Sequence, residues 1–161
     1  MALQEPRCSG MIARRTIKSL GFKNYLLSEA RGFSGGIWLL WFKADLQVTV
    51  IKEDFHFLHV RVQERDMYPW LLTVVYASSQ ENERRDTWIK LHDIASSIQE
   101  SWLMMGDFNE IASTDEKKGG ASVDIKRCSN FSDWINDCNL LKVHTIGTKF
   151  TWRGPKCIGH D

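Results

Sequence analysis

The chain has 161 residues, of which 43% are hydrophobic and 25% are charged, and this composition is typical of one soluble globular domain. Its formal net charge is +1 at pH 7, so bulk positive charge does not indicate nucleic-acid binding, although a local basic patch can still bind. The longest uninterrupted apolar run covers residues 37–42 and is too short to cross a bilayer, which excludes a membrane-spanning segment.

The amino-terminal part of the chain predicts a strand and then a helix. Residues 2–5 have strand character, and Pro6 ends the strand. Ser9 is a candidate N-cap for a helix over residues 12–20, and Gly21 is a candidate helix stop.

Four strands are predicted next. The apolar run at residues 37–42 has the length of a strand buried on both faces. Residues 46–51 alternate apolar and polar side chains. In residues 55–62, Phe57 and His59 share one face while Leu58 and Val60 share the other, and Trp70–Tyr76 is rich in Leu and Val.

The rest of the chain predicts helices alternating with short strands. Helices are expected at residues 82–99 and 125–139, because apolar side chains recur there at the helical period. A short buried strand is expected at residues 102–105 and a last strand at residues 149–152.

This order of elements predicts an α+β fold, a two-sheet β-sandwich flanked by outer helices, over a single domain of residues 1–161. A doubly wound parallel sheet fits less well, because hairpin-like neighbours dominate residues 37–76.

The sharpest local pattern is Gly106-Asp107-Phe108-Asn109, which follows a predicted strand. Residues two apart in extended backbone point to the same side, so Asp107 and Asn109 can face one cleft, at the strand end where open sheets bind ligands. A carboxylate and an amide there suit a metal, a water or a phosphate. An ordinary Asx turn explains the same residues equally well.

Several motifs in order along the chain resemble one known family. Gly106–Asn109 resembles the GDFN signature of the endonuclease/exonuclease/phosphatase superfamily. The segments GFSGGIW at residues 32–38, VYAS at 75–78, EKKGG at 116–120 and KFTW at 149–152 resemble plant endonucleases of LINE-type retrotransposons. The resemblance spans nearly the whole chain and implies a deoxyribonuclease I-like four-layer fold.

The resemblance also implies roles for four residues. Glu5 matches the metal-binding glutamate, so Mg²⁺ or Mn²⁺ is the expected cofactor. Tyr76 matches the tyrosine that contacts the scissile phosphate. Asp107 matches the aspartate that orients or deprotonates the attacking water, and Asn109 matches the asparagine that holds the phosphate. Without the resemblance, Glu5 reads as a surface residue and Tyr76 as a core aromatic.

Candidate DNA contacts are basic residues near the expected cleft. Arg31, Lys117 and Lys118 are proposed because phosphate contacts supply most non-specific affinity. Arg31 can equally brace the turn at residues 35–36. Trp38 and Trp41 lie in a buried strand pattern, which favours core packing over base stacking.

The sequence departs from the family pattern at both ends. A family asparagine in the first strand, an Arg-Leu-Asp segment and a Ser-Asp-His segment have no counterpart here, and the pair His160-Asp161 lies in a loop-like context instead. The comparison therefore predicts a fragment with an incomplete site and weak catalysis on its own.

Three functions remain open at this stage. The first is a metal-dependent DNA-nicking endonuclease, intracellular and nuclear, with a reverse transcriptase domain as a partner and no membrane association. The second is a hydrolase of small phosphate esters from the same superfamily. The third is a degenerate remnant without catalysis. The scattered cysteines and the absence of a signal-peptide pattern favour an intracellular setting.

Overall fold

A computed structural model describes residues 1–30, 35–143 and 146–154 of the chain. It divides into two compact units, Met1–Asn109 and Glu110–Asp161. The first unit contains two helices, α1 (Gly10–Ser19) and α2 (Glu81–Ala95), together with the strands of the described residues. Those strands are β1 (Ala2–Gln4), β2 (Asn24–Ser28), β3 (Ile37–Trp41), β4 (Leu46–Asp54), β5 (Phe57–Glu64), β6 (Trp70–Tyr76) and β7 (Trp102–Asp107).

The strands form two sheets, so the protein is a mixed α+β structure, as predicted. The three-stranded sheet has the order β1-β3-β2 and is antiparallel, with Gln4 and Ser28 both opposite Ile37. The four-stranded sheet has the order β4-β5-β6-β7. Its first two pairs are antiparallel, whereas β6 and β7 are parallel because α2 connects them as a crossover.

The inner faces of the two sheets share one hydrophobic core. Ile37 and Leu39 of β3 pack with Leu58 and Val60 of β5 and with Val74 of β6. These residues alternate along their strands, so the period of two puts each of them on the buried face. The sequence prediction for β5 is confirmed in this respect.

Helices lie on the outer faces of the sheets. Ala13 and Ile17, four residues apart on α1, are fully buried against Trp38 and Leu40 of β3. On the other sheet, Ile94 of α2 lines a cavity of about 260 Å³ together with residues of β4, β5 and β6. Helix α1 has Ser9 at its N-cap position as predicted, although the Ser9 side chain makes no capping hydrogen bond.

Three sequence expectations are corrected by the structure. Strand β2 was not predicted, and it pairs along its whole length with β3. Residues 149–152 do not form a strand. The strand β7 is not buried, since Leu103 is 37% and Met105 is 43% exposed. It occupies the end of its sheet, so its outer edge has no neighbouring strand among the described residues.

The second unit is built around helix α3 (Ile125–Asp137), preceded by a short 3₁₀ turn at Thr114–Glu116. Asp124 caps α3, because its carboxylate accepts hydrogen bonds from the backbone N–H groups of Lys126 and Arg127. Cys128 and Phe131 form the buried face of the helix. None of the helices in the described part of the chain is long and apolar enough to span a membrane.

Candidate active site

The carboxyl ends of the parallel strands β6 and β7 bring two predicted site residues side by side. Tyr76 is the last residue of β6, Asp107 is the last residue of β7, and the two are paired in the strand register. The backbone N–H of Ala77 donates to the carbonyl oxygen of Asp107 at 2.8 Å, so the pairing continues beyond the strands. Crossover connections of this kind place strand ends where sheets bind ligands.

The turn after β7 fixes the Asp107 carboxylate and the Asn109 amide. Asp107 Oδ1 accepts a hydrogen bond from the backbone N–H of Asn109 at 2.9 Å, so the Asx turn considered from the sequence does form. Asn109 has a φ of 49°, which Asn adopts more readily than most residues. Its side-chain Nδ2 donates to the carbonyl oxygen of Ala77 at 2.6 Å, which ties this turn to the segment after β6.

A glycine lets the other sheet approach this edge. The side-chain amide of Gln4, at the end of β1, donates a hydrogen bond to the carbonyl oxygen of Val75 in β6. Gly106 lies beneath this contact, and a Cβ at that position would stand 1.9 Å from the Val75 oxygen and 2.3 Å from Gln4 Nε2. The absence of a side chain at Gly106 therefore allows β1 to reach β6, and Glu5 follows directly.

Glu5 is held in an unusual backbone conformation. Its φ is 53°, and its N–H donates to the carbonyl oxygen of Gly36 at 3.1 Å. Its carboxylate oxygen Oε1 accepts hydrogen bonds from Arg7 Nη2 at 2.7 Å and from Arg7 Nε at 3.1 Å. The pKa of Glu5 is lowered, chiefly by Arg7 and further by the Tyr76 hydroxyl. Glu5 is therefore an ionised carboxylate at neutral pH, in the kind of strained position that often marks functional sites.

The Tyr76 side chain lies close enough to the carboxylates of Glu5 and Asp107 for both to shift its pKa. Burial raises the pKa of Tyr76, and interactions with Glu5 and then with the charge of Asp107 raise it further. The hydroxyl therefore keeps its proton at neutral pH and remains a hydrogen-bond donor. Glu5, Tyr76 and the Asp107–Asn109 turn come from three separate segments, and the structure brings them to one edge of the two sheets.

His56 is a neighbour of this cluster that the sequence analysis did not identify. Its Nδ1 lies 3.1 Å from the carbonyl oxygen of Tyr76, and because a carbonyl only accepts, Nδ1 carries the proton. Its Nε2 lies 3.9 Å from Glu83 Oε2 of α2. The amino-acid pattern carried little signal for it, because His56 lies within the strand predicted over residues 55–62 and its contact with Tyr76 spans 20 residues of sequence.

The sequence analysis also missed Arg84, a buried side chain that holds the loop after Tyr76 in place. Its Nη1 donates to the carbonyl oxygens of Ser78 at 2.8 Å and Ser79 at 2.9 Å. The side chain is fully enclosed, with a relative exposure of 2%. Arg84 therefore fixes the segment that follows Tyr76. In the sequence it is one of two adjacent arginines in a predicted helix, a pattern that gives no sign of this role.

The three candidate DNA contacts stay predictions. Arg31 lies outside the described residues. Lys117 and Lys118 belong to the second unit, where both are exposed and Lys117 Nζ donates to the carbonyl oxygen of Ala121 at 2.8 Å. Trp38 is 3% exposed and Trp41 packs against the shared core, so the core interpretation of both tryptophans is confirmed.

The site is an open edge with oxygen donors rather than an enclosed cavity. Asp107 and Asn109 are exposed, and the Glu5 side chain is 36% exposed. In the described part of the chain, no group of three or more His, Cys, Asp and Glu side chains is arranged around one point. The two carboxylates of Glu5 and Asp107, both within the influence of Tyr76, are the donors available to a cation here.

Comparison with known proteins adds no family assignment, since no protein-family model and no curated protein matches the chain.

Proposed function

We propose that the chain is a deoxyribonuclease I-like domain of the endonuclease/exonuclease/phosphatase superfamily and hydrolyses phosphodiester bonds in DNA with a divalent metal ion. The observation that carries the proposal is the convergence of Glu5, Tyr76, Asp107 and Asn109 at the end of β6 and β7. These are the residues that the family resemblance selected from the sequence alone.

The donor chemistry at this edge fits Mg²⁺ or Mn²⁺. Mg²⁺ takes oxygen ligands and needs only one or two carboxylates because it keeps several waters. Glu5 would hold the ion, since Arg7 and Tyr76 lower its pKa and keep its carboxylate ionised at neutral pH. When bound, such an ion polarises the phosphoryl oxygen and stabilises the leaving alkoxide.

The other residues supply the remaining chemistry. Asp107 accepts the proton of the attacking water, and its orientation is fixed by the hydrogen bond from the Asn109 N–H to Oδ1. Asn109 commits one side-chain N–H to Ala77, which leaves its second N–H to donate to a phosphate oxygen. Tyr76, protonated because its pKa is raised, donates to the charge that develops on the phosphate.

The open geometry favours a polymer over a small phosphate ester. Small-molecule sites bury most of their ligand in a cleft. The two cavities described in the first unit, of about 480 Å³ and 260 Å³, are lined by other residues and contain none of the four site residues. A DNA backbone, which is held by contacts spread along its length, suits an exposed sheet edge. In the family that the chain resembles, the nick primes a reverse transcriptase, so we propose such a domain as a partner.

The test compares nicking of supercoiled plasmid in Mg²⁺ by the chain and by two matched variants. Asp107→Asn keeps the oxygen that accepts from the Asn109 N–H but removes the proton acceptor, so nicking should fall by about 100-fold or more. Asp66→Asn makes the same chemical change at an exposed residue of the β5–β6 turn and should leave nicking unchanged.

The alternatives give different results in the same experiment. Equal nicking by all three proteins, or none by any, would contradict the proposal. Release of phosphate from small esters without nicking would instead favour the ester hydrolase, and neither activity would favour a non-catalytic protein.

A further inference from the structure

A basic groove lies on the outer side of the three-stranded sheet, between α1 and β2. The segment from Gly10 to Asn24 contains four cationic residues and no carboxylate. All of these cations line one groove of about 480 Å³, together with a methionine and two aromatic rings: Met11, Arg14, Arg15, Lys18, Phe22, Lys23 and Tyr25. We call this feature the α1 groove.

The helical period explains why the cations converge. Ala13 and Ile17 face the sheet, so the residues that follow them, Arg14 and Lys18, share a neighbouring face one turn apart. Arg14 is held in the groove by Tyr25, since its Nη1 donates to the Tyr25 hydroxyl at 3.2 Å. Within the described residues, Arg15, Lys18 and Lys23 have no carboxylate partner.

A stacked aromatic pair adjoins the groove through Phe22, which lines it. Phe22 and Phe42 are stacked with their ring centroids 4.1 Å apart and an interplanar angle of 21°. Phe42 is 69% exposed, an unusual position for a ring of this size. One face of the stack is therefore available to another flat ring beside the cations.

The α1 groove is separate from the Glu5 cluster. Gln4, which precedes Glu5, is opposite Ile37 at the start of β3, whereas Asn24 is opposite Trp41 at the end of β3. The groove residues Phe22 and Lys23 therefore lie at the end of the sheet away from Glu5. Ligand binding in the α1 groove therefore does not depend on the proposed hydrolysis.

We propose that the α1 groove binds a single strand of nucleic acid, with its cations on the phosphates and a base stacked on Phe42. Single-strand binding sites combine a positively charged groove with exposed aromatic rings, because every base has a face that can stack. An acidic peptide would use the cations but would leave the Phe42 ring without a partner. The charge and the ring together thus favour nucleic acid.

The charge contribution is tested with two triple variants of equal charge change. Arg15→Glu/Lys18→Glu/Lys23→Glu removes three cations of the groove, and Lys52→Glu/Arg65→Glu/Arg85→Glu removes three exposed cations elsewhere in the same unit. Binding of an oligodeoxythymidylate is followed by fluorescence anisotropy over a range of salt concentrations, with EDTA present. Losing three phosphate contacts should reduce the slope of log K against log salt by about 2 in the groove variant only. Equal slopes in the two variants would overturn the proposal.

The stacking contribution is tested at Phe42. Phe42→Ala should weaken binding of the oligodeoxythymidylate roughly tenfold, while Phe42→Tyr should keep the affinity. Abasic strands should bind the two variants equally. The same loss on abasic strands would overturn the stacking of a base. The chain could instead bind phosphatidylserine vesicles and no oligonucleotide, with vesicle binding lost in the groove variant. That result would overturn the proposal in favour of a membrane surface.

Discussion

Replacing Gly106 by Ala tests how the two sheets are joined beside the candidate site. The new Cβ would stand 1.9 Å from the carbonyl oxygen of Val75 and 2.3 Å from Gln4 Nε2. The Val75 oxygen is a backbone atom within the β6–β7 pairing, so it cannot withdraw without separating the strands. Gly106 also has a φ of 143°, a conformation that Ala adopts only with strain.

Three effects contribute to the expected loss of stability. Backbone strain costs about 1 to 3 kcal/mol. Forcing strands apart in a packed interior costs a similar amount, about 1 to 3 kcal/mol. Loss of the hydrogen bond from Gln4 to Val75 adds about 1 kcal/mol. Together these effects predict a decrease of about 5 kcal/mol in the free energy of unfolding.

The matched control is Gly21→Ala, measured by urea unfolding in parallel. Gly21 has a φ of 85° but nothing within 4 Å of the position that a Cβ would take. Its replacement carries the conformational cost alone, about 1 kcal/mol. If the two variants lose the same free energy, steric contact at Gly106 does not constrain the sheets and the account of how Glu5 is positioned is wrong.

Three further predictions concern polar side chains. Burial lowers the pKa of His59 below its usual value of 6.5. Below pH 6.5 the unfolded chain therefore binds a proton at His59 more readily than the folded chain does, and the free energy of unfolding falls as the pH falls. His59→Gln should therefore flatten the dependence of the urea midpoint on pH below 6.5, and an unchanged slope would contradict this. Asn109→Asp tolerates the same φ but removes the N–H that donates to the Ala77 carbonyl oxygen. The free energy of unfolding in urea should fall by about 2 kcal/mol, and an unchanged value would show that this hydrogen bond is unimportant. Arg84→Met leaves two loop carbonyl oxygens without their hydrogen-bond donor, so the free energy of unfolding should fall by about 3 kcal/mol. Amide hydrogen exchange in the segment after Tyr76 should also become faster. Exchange protection equal to that of the unaltered chain would refute the role of Arg84.

The predictions that came from local pattern agree well with the structure. Trp70–Tyr76 was predicted with the bounds it has, because a run of large apolar residues between polar segments has few alternatives to a strand. The alternation in β5 assigned its faces correctly, since Leu58 and Val60 do face the shared core. The resemblance named Glu5, Tyr76, Asp107 and Asn109, which no local period connects.

The features that were missed depend on contacts between distant residues. Strand β2 has no alternation that marks it, and only its pairing with β3 makes it a strand. Strand β7 reads as buried from its apolar residues, but it lies at the end of its sheet. The role of Gln4 depends on its hydrogen bond to Val75, which is 71 residues away in the sequence. That of His56 depends on its contact with Tyr76, which is 20 residues away.

Titration with Mn²⁺, followed by paramagnetic broadening of backbone amide signals, tests the central claim without requiring turnover. If Glu5 and Asp107 provide the cation site, the amides of Ala77, Asp107 and Asn109 should broaden first, and Glu5→Gln should abolish this broadening while leaving the fold intact. Broadening that begins elsewhere in the chain, or that persists unchanged in Glu5→Gln, would contradict the assignment of a metal-dependent site to this edge of the sheet.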